Sequence, residues 1–472
     1  METISFDFNN MLGHALGPEH GVSIAELEQL APRLAAAHAA VENQREKKTL
    51  GFFDLPYQQE NLRVINTMAN GIAKKFENFV VLGIGGSALG SIALQGALRH
   101  PFYNLLSKSA RQGRPRIFVE DNVDPVHISG LLDTLDLKKT CFNVITKSGD
   151  TVETMASYFL ARDRLRRLVG KKGLAAHFVA TTSPKLGTLL EIARKEGYRT
   201  LAVPENVGGR FSVLSAVGLL SAAVSGIPIE ALCQGAQAMD KACRSDNARG
   251  VIENPALLAA GLHYLAYQKG RHIAVLMPYA QGLKEIADWF MQLWAESLGK
   301  AKDRSGHAVF VGPTPGKAVG VTDQHSQLQL YQEGPPDKIV TFVTVEKFSK
   351  ALPIPMAFPK RDIHYLSGHT FADLIHVEQQ ATQLSLTKAA RMNATIQLSA
   401  ITPRTIGMLL YFFQMQTAYA GELFNINAFD QPGVEQGKQF AYGILGRKGF
   451  DAKRQEFQAA PKPDPKYIAR VP

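Results

Sequence analysis

Residues 79–90 read Phe79-Val80-Val81-Leu82-Gly83-Ile84-Gly85-Gly86-Ser87-Ala88-Leu89-Gly90, and this stretch decides the fold. The unbroken apolar run over 79–84 predicts a strand buried on both faces. Glycines then turn the chain, and 87–98 carries a helical pattern. A doubly buried strand that feeds a helix is the start of a βαβ unit. The same alternation continues outward. Residues 116–119, 142–146 and 177–180 read as strands, followed by helices over 126–135, 151–168 and 184–195. Such alternation implies a parallel sheet with helices on both faces.

A second unit of the same kind begins near residue 254. Strands are expected over 272–277, 308–310 and 339–343, and helices over 283–298, 371–392 and 404–419. Before residue 79, Ser23 with Glu26 has the form of a capping box, and Leu27, Leu30 and Leu34 recur at helical spacing. The first forty-odd residues therefore read as helix. The expected architecture is α/β with two domains, each a parallel sheet flanked by helices. The divisions are a helical N-terminal segment (1–50), a first domain (51–248), a second domain (249–448) and a C-terminal tail (449–472). The tail is Pro- and Lys-containing with weak periodicity, and is expected to lie over the surface.

Composition narrows the function classes. The chain has 472 residues, 45% apolar and 20% charged, which is the profile of a globular protein. Lys and Arg total 52 against 42 Asp and Glu, a net charge of +10. That excess fits either a nucleic-acid binder or an enzyme for anionic metabolites; without a dense basic block, the second is expected. Cys141, Cys233 and Cys243 are scattered and form no C-x-x-C pair, so neither a disulfide framework nor a cysteine zinc site is expected. No basic leader precedes an apolar core at the N-terminus, and no apolar run reaches the ~18 residues of a membrane span. A cytoplasmic protein with no membrane partner is the expectation.

The loop Gly83 to Gly90 lets backbone N–H groups approach an anion at a helix N-terminus, with Gly86 in the loop and Ser87 at the cap. Ala88 stands where a G-x-G-x-x-G fingerprint needs glycine, and no Gly-Lys-Ser/Thr closes a Walker loop. A phosphate site without a nucleotide follows; a glycine turn needed only for packing is the plainer alternative. Thr146-Lys147-Ser148-Gly149-Asp150-Thr151 lies at another strand-to-helix junction. Its hydroxyls and amides could clamp the same anion, or Thr151 could simply cap a helix.

Gly208-Gly209-Arg210 could hold a guanidinium against a developing oxyanion, or Arg210 could be an exposed loop residue. Trp289, Leu293 and Glu296 share a helix face, so Glu296 must be paired or carry a shifted pKa and a use; a salt bridge to Lys300 is the simpler reading. His325 sits in a polar loop, where a lone histidine is more often structural than catalytic. Gln431 to Lys438 joins a loop to a helix. There Glu435 and Lys438 could be an ordinary i, i+3 pair, or Lys438 could serve as a proton donor or anchor.

These blocks, in this order, resemble the phosphoglucose isomerase family. Glu205 to Ser212 and Phe429 to Lys438 look like its two signature patterns, and the likeness runs from about residue 50 to 445. The resemblance implies two sugar-isomerase (SIS) domains and a homodimer, with His325 reaching into the neighbouring subunit's site. It implies that Gly86, Ser87, Thr146, Lys147, Ser148 and Thr151 hold the substrate phosphate. Glu296 would be the base, Arg210 would stabilise the enediol and Gly209 would shape its loop. His325 and Lys438 would assist ring opening, and Gln431 would line the pocket. The implied reaction interconverts glucose 6-phosphate and fructose 6-phosphate in glycolysis and gluconeogenesis, with no cofactor and no metal. This chain departs at Pro432, where many members carry Trp, and at Asp150, which interrupts a run often all Thr; it resembles the shorter bacterial branch. The rival is a non-catalytic SIS-type phosphosugar sensor. It would need Ser87 and the 146–154 loop but not Glu296, Arg210 and Lys438 together.

Overall fold

The computed structural model describes residues 2–244, 253–359 and 361–471. The expected boundary between residues 248 and 249 lies outside the described residues. By contacts the chain divides into a large unit, Met1–Ala428, and a small one, Phe429–Pro472.

Two five-stranded sheets organise the large unit. The first runs Arg116–Glu120, Asn78–Leu82, Thr140–Ile145, Phe178–Thr182, Arg199–Ala202 across the sheet, every pairing parallel. Asn78–Leu82 and Thr140–Ile145 are buried at every position, as the doubly covered strands of a parallel sheet must be. On one face of this sheet Val80, Phe142, Val144, Phe178 and Ala180 pack with Ile128, Leu132, Tyr158 and Leu165 of the crossover helices.

The second sheet orders Ile4–Asp7, Asn393–Leu398, Lys338–Val345, Ile273–Pro278 and Thr314–Lys317. Four of these are parallel, and Ile4–Asp7 pairs antiparallel with Asn393–Leu398. The all-helical reading of the N-terminal segment therefore fails at its start. A four-residue strand is too short to show a period, and its partner lies far away in the chain. The helix expected from Ser23 is present as Ile24–Glu46, with the Ser23–Glu26 capping box formed. The strand expected at 308–310 forms as Ala308–Val311, but in a separate antiparallel pair with Lys300–Lys302.

Helices Ala216–Ser225 and Pro403–Leu423 are buried almost all round, as uniformly apolar helices are. The small unit holds helices Glu435–Ile444 and Asp451–Ala459, so the stretch expected as a tail of weak periodicity contains a formed helix.

Candidate active site

In the first sheet the chain leaves Asn78–Leu82 to build Arg116–Glu120 on one side and Thr140–Ile145 on the other. Such a switch point opens a crevice at the strands' C-terminal ends, where ligands bind in open α/β sheets. The loops after Leu82 and after Ile145 both emerge there.

The first loop folds as a tight turn, Gly85–Ser87, before the helix Leu89–Leu98. Gly85 takes φ +56°, open to glycine at little cost. The sequence places Ser87 at the helix cap, but Ala88 takes that position, because the extra turn delays the helix by two residues. Ser87 stays half-buried in the loop. A Cβ on Gly86 would sit 2.7 Å from Arg210 N and overlap Gly209, so the backbones of the two glycine loops touch.

In the second loop Thr146 and Thr151 share a hydroxyl hydrogen bond of 2.9 Å. Thr151 stands at the N-cap of Val152–Gly173 but makes no side-chain cap bond, because its hydroxyl is turned to Thr146. Gly149 N donates to Thr146 Oγ1 (3.2 Å) and Asp150 N to Ser148 Oγ (3.2 Å). Lys147 Nζ donates to the main-chain carbonyls of Glu205 (3.0 Å) and Val207 (3.1 Å), tying this loop to the one that carries Arg210.

Arg210 is not an exposed loop residue. Its side chain is 2% exposed. Nε donates to Ser297 Oγ (2.7 Å), Nη2 to the Ala428 carbonyl (2.7 Å) and Nη1 to Glu296 Oε2 (3.2 Å). Glu296 lies at the edge of its helix's apolar stripe, beyond the buried Trp289 and Leu293, with 34% of its side chain exposed. Its other oxygen, Oε1, accepts from Gln292 Nε2 (2.9 Å). The simple reading of Glu296 as a Lys300 partner gives way to this: Lys300 Nζ donates to the main-chain carbonyls of Glu296 (2.7 Å) and Ser297 (3.0 Å). A carboxylate held by a buried guanidinium and a carboxamide, with solvent access, has the orientation that a general base needs and a fixed cation beside it.

Two residues join the site that the sequence reading did not single out. Ser297 is fully buried and fixes Arg210 Nε. Gln292 orients Glu296, and a Cβ on Gly85 would stand 2.9 Å from its Nε2, so it also faces the first glycine loop. The available signal was its place one turn before Glu296 on the same face.

The structure thus brings Gly86, Gly209, Arg210 and Glu296 into one constellation, with Thr146, Lys147, Ser148 and Thr151 tied to it through Lys147. His325 is exposed at the end of the turn Thr322–His325, and among the described residues no hydrogen bond or ion pair joins it to Arg210 or Glu296. Asp323 and Gln324 brace that turn: Val319 N donates to Asp323 Oδ2 (2.7 Å), and Gln324 Nε2 donates to Tyr279 OH (2.7 Å). In the small unit Lys438 pairs with Glu435 at 2.9 Å, the ordinary helix pair, and both are half-exposed. Gln431 precedes the turn Pro432–Val434. Among the described residues no group of three His, Cys, Asp or Glu is placed to hold a metal, and no helix is long and apolar enough to cross a membrane.

Comparison with known proteins gives one answer. The family profile described as Phosphoglucose isomerase matches residues 61–462. A glucose-6-phosphate isomerase of Carboxydothermus hydrogenoformans is 46% identical, over 98% of this chain and 99% of its own. One of Rubrobacter xylanophilus is 44% identical, over 96% and 100%. Among solved structures, a hypothetical protein from Thermus thermophilus superposes with TM-score 0.83 at 35% identity, covering 94% of this chain and 100% of that one. A glucose-6-phosphate isomerase from Chlamydia trachomatis gives TM-score 0.72 at 28% identity, covering 85% and 76%. The chain belongs to the phosphoglucose isomerase family.

Proposed function

We propose that the protein catalyses the reversible isomerisation of glucose 6-phosphate and fructose 6-phosphate, the activity named for its full-length relatives. The observation that carries the mechanism is the contact of Arg210 with Glu296 beside the glycine loop of the first sheet. After ring opening, Glu296 takes the proton from the carbon next to the carbonyl. The electron pair moves onto the carbonyl oxygen, and the resulting cis-enediol(ate) is stabilised by the Arg210 guanidinium. The protonated carboxyl then delivers its proton to the neighbouring carbon: the C=C pair forms the new C–H bond, the hydroxyl on the other carbon gives its proton to the first oxygen, and the pair it leaves behind makes the new carbonyl. Atoms and electrons balance within the substrate.

In this reading Ser87, Thr146, Lys147, Ser148 and Thr151, with the Gly86 backbone, hold the phosphate, and Gly209 lets the arginine loop approach. His325 and Lys438 assist ring opening and Gln431 lines the pocket. The exposure of His325 is consistent with its serving the site of a second copy in a homodimer. The protein would act in the cytoplasm, in glycolysis and gluconeogenesis, with SIS domains at 51–248 and 249–448.

The deciding experiment supplies fructose 6-phosphate and follows glucose 6-phosphate with a coupled dehydrogenase. Turnover is expected. A folded protein that binds the sugar phosphate without converting it would instead be a sensor.

A further inference from the structure

The loop that carries Arg210 is held from outside the first sheet by the segment after the long N-terminal helix. Gly51 N donates to the Asn206 carbonyl (2.9 Å), and Asn206 Nδ2 donates to the Lys48 carbonyl (3.0 Å). A Cβ on Gly51 would stand 2.8 Å from Asn206 Cγ, so only glycine lets the amide seat there. Just beyond Arg210 the same segment grips again: the Phe52 and Phe211 rings lie 4.9 Å apart, and the guanidinium carbon is 5.8 Å from the Phe211 ring centre.

Asn206 stands between the two carbonyls that receive Lys147. Glu205 O lies in the peptide unit before Asn206 and Val207 O in the unit after Val207, so both reach Nζ only if the turn between them, whose Asn206 carbonyl is held by Gly51 N, keeps one conformation. The Val207 N to Pro204 O bond (3.1 Å) closes that turn from within. Neutral carbonyls leave the ammonium charge intact, so Lys147 is placed rather than neutralised.

We infer that Asn206 is a positioning residue for the isomerase reaction: seated on Lys48 and Gly51, it sets the carbonyls that aim Lys147. It touches no reacting atom. Its effect passes through Lys147, which links the anion loop to the arginine loop.

The kinetic arm of the test rests on the isomerase reading; the second arm does not. Asn206→Ala is expected to lower kcat/KM roughly 10- to 100-fold, the scale of a small misplacement propagated to the chemistry. Asn206→Asp keeps the size but loses the donor to Lys48, and is expected to lose activity as well. The loss should not multiply with that of Lys147→Ala: the double variant should be within about threefold of Lys147→Ala alone, as for residues acting through one contact. Losses that multiply in full, or an Asn206→Ala enzyme with wild-type kinetics, would overturn the inference. Independently of activity, amide exchange at Val207, Phe211 and Ser212 should run about tenfold faster or more in Asn206→Ala, because the clamp governs local opening. Unchanged exchange there would overturn it even in a protein that shows no isomerase activity.

Discussion

Arg210 and Glu296, 86 residues apart, meet at 3.2 Å with opposite exposures: the guanidinium side chain is 2% exposed and the carboxylate 34%. The cation is locked from behind by Ser297 Oγ and the Ala428 carbonyl. The anion keeps part of its surface open to solvent. This asymmetry suits a base that must reach a substrate carbon while its neighbour stays fixed to receive developing charge.

Glu296→Gln keeps the shape but turns one of the two acceptor oxygens, which receive Arg210 Nη1 and Gln292 Nε2, into a donor, and removes the proposed base. Turnover should fall by roughly 10²–10⁴-fold, while calorimetry still detects sugar-phosphate binding. Near-normal turnover would place the base elsewhere. Arg210→Lys replaces three nitrogens of a planar fork by one, which cannot reach Ser297 Oγ, Glu296 Oε2 and the Ala428 carbonyl together, so kcat should fall by more than KM rises; a change in KM alone would make Arg210 a ground-state binder.

How much of this was legible in the sequence depends on distance along the chain. The strand and loop of residues 79–90 could be read because period and glycines are local. Glu296 stood out because a carboxylate broke a helical stripe. Its partner could not be read, since nothing near Arg210 says which helix it meets. Ile4–Asp7 was missed for the same reason: its meaning lies in pairing with residues 395–398. Ser87 was misplaced at the helix cap because a turn of Gly85–Ser87 and a helix start look alike in sequence. Gln292 went unnoticed because a glutamine on a helix carries no signal until its neighbour is known.

The two glycine loops should respond unequally to a single methyl group. A Cβ on Gly86 would meet Gly209 backbone and Arg210 N at 2.7 Å, so one loop must move. A Cβ on Gly209 would find only Gly86 Cα at 3.8 Å, an ordinary contact. Gly86→Ala should therefore lose most activity, while Gly209→Ala stays within about tenfold of wild type, a shift of ~1.4 kcal/mol in the barrier. Steady-state kinetics of the pair decide it; equal losses would show that the loops do not touch as described.

Stability should be sensitive at a site remote from the chemistry. Asp240 is fully buried, accepting from Tyr57 OH (2.6 Å) and Tyr411 OH (2.7 Å), with Arg45 Nη2 at 2.9 Å and Arg244 Nη2 at 2.8 Å. It joins the N-terminal helix Ile24–Glu46 to Ile229–Cys243 and Pro403–Leu423. Asp240→Ala leaves the largely buried Arg45 guanidinium with Glu42 alone and takes the acceptor from the Tyr57 and Tyr411 hydroxyls, and should cost about 3–5 kcal/mol of unfolding free energy. Urea denaturation measures it; a loss below about 1 kcal/mol would mean that water replaces the carboxylate without penalty.

His263 should leave a signature in the acid limb of stability. It is buried on Pro255–Gln268, edge-on to Trp294 with ring centroids 5.4 Å apart, and burial pushes its pKa down to about 4. The folded protein keeps the ring neutral, whereas the unfolded chain takes up a proton near pH ~6.5. The stabilising contribution is thus complete above pH ~6.5 and drains away as pH falls toward about 4, because the unfolded state gains a proton that the folded state refuses. By pH ~5 the loss from this one group should be about 2 kcal/mol. His263→Leu removes the titration, so the difference in unfolding free energy between pH ~7 and pH ~5 should shrink by that amount. An identical difference in wild type and variant would show that His263 takes up its proton in the folded state as readily as in water.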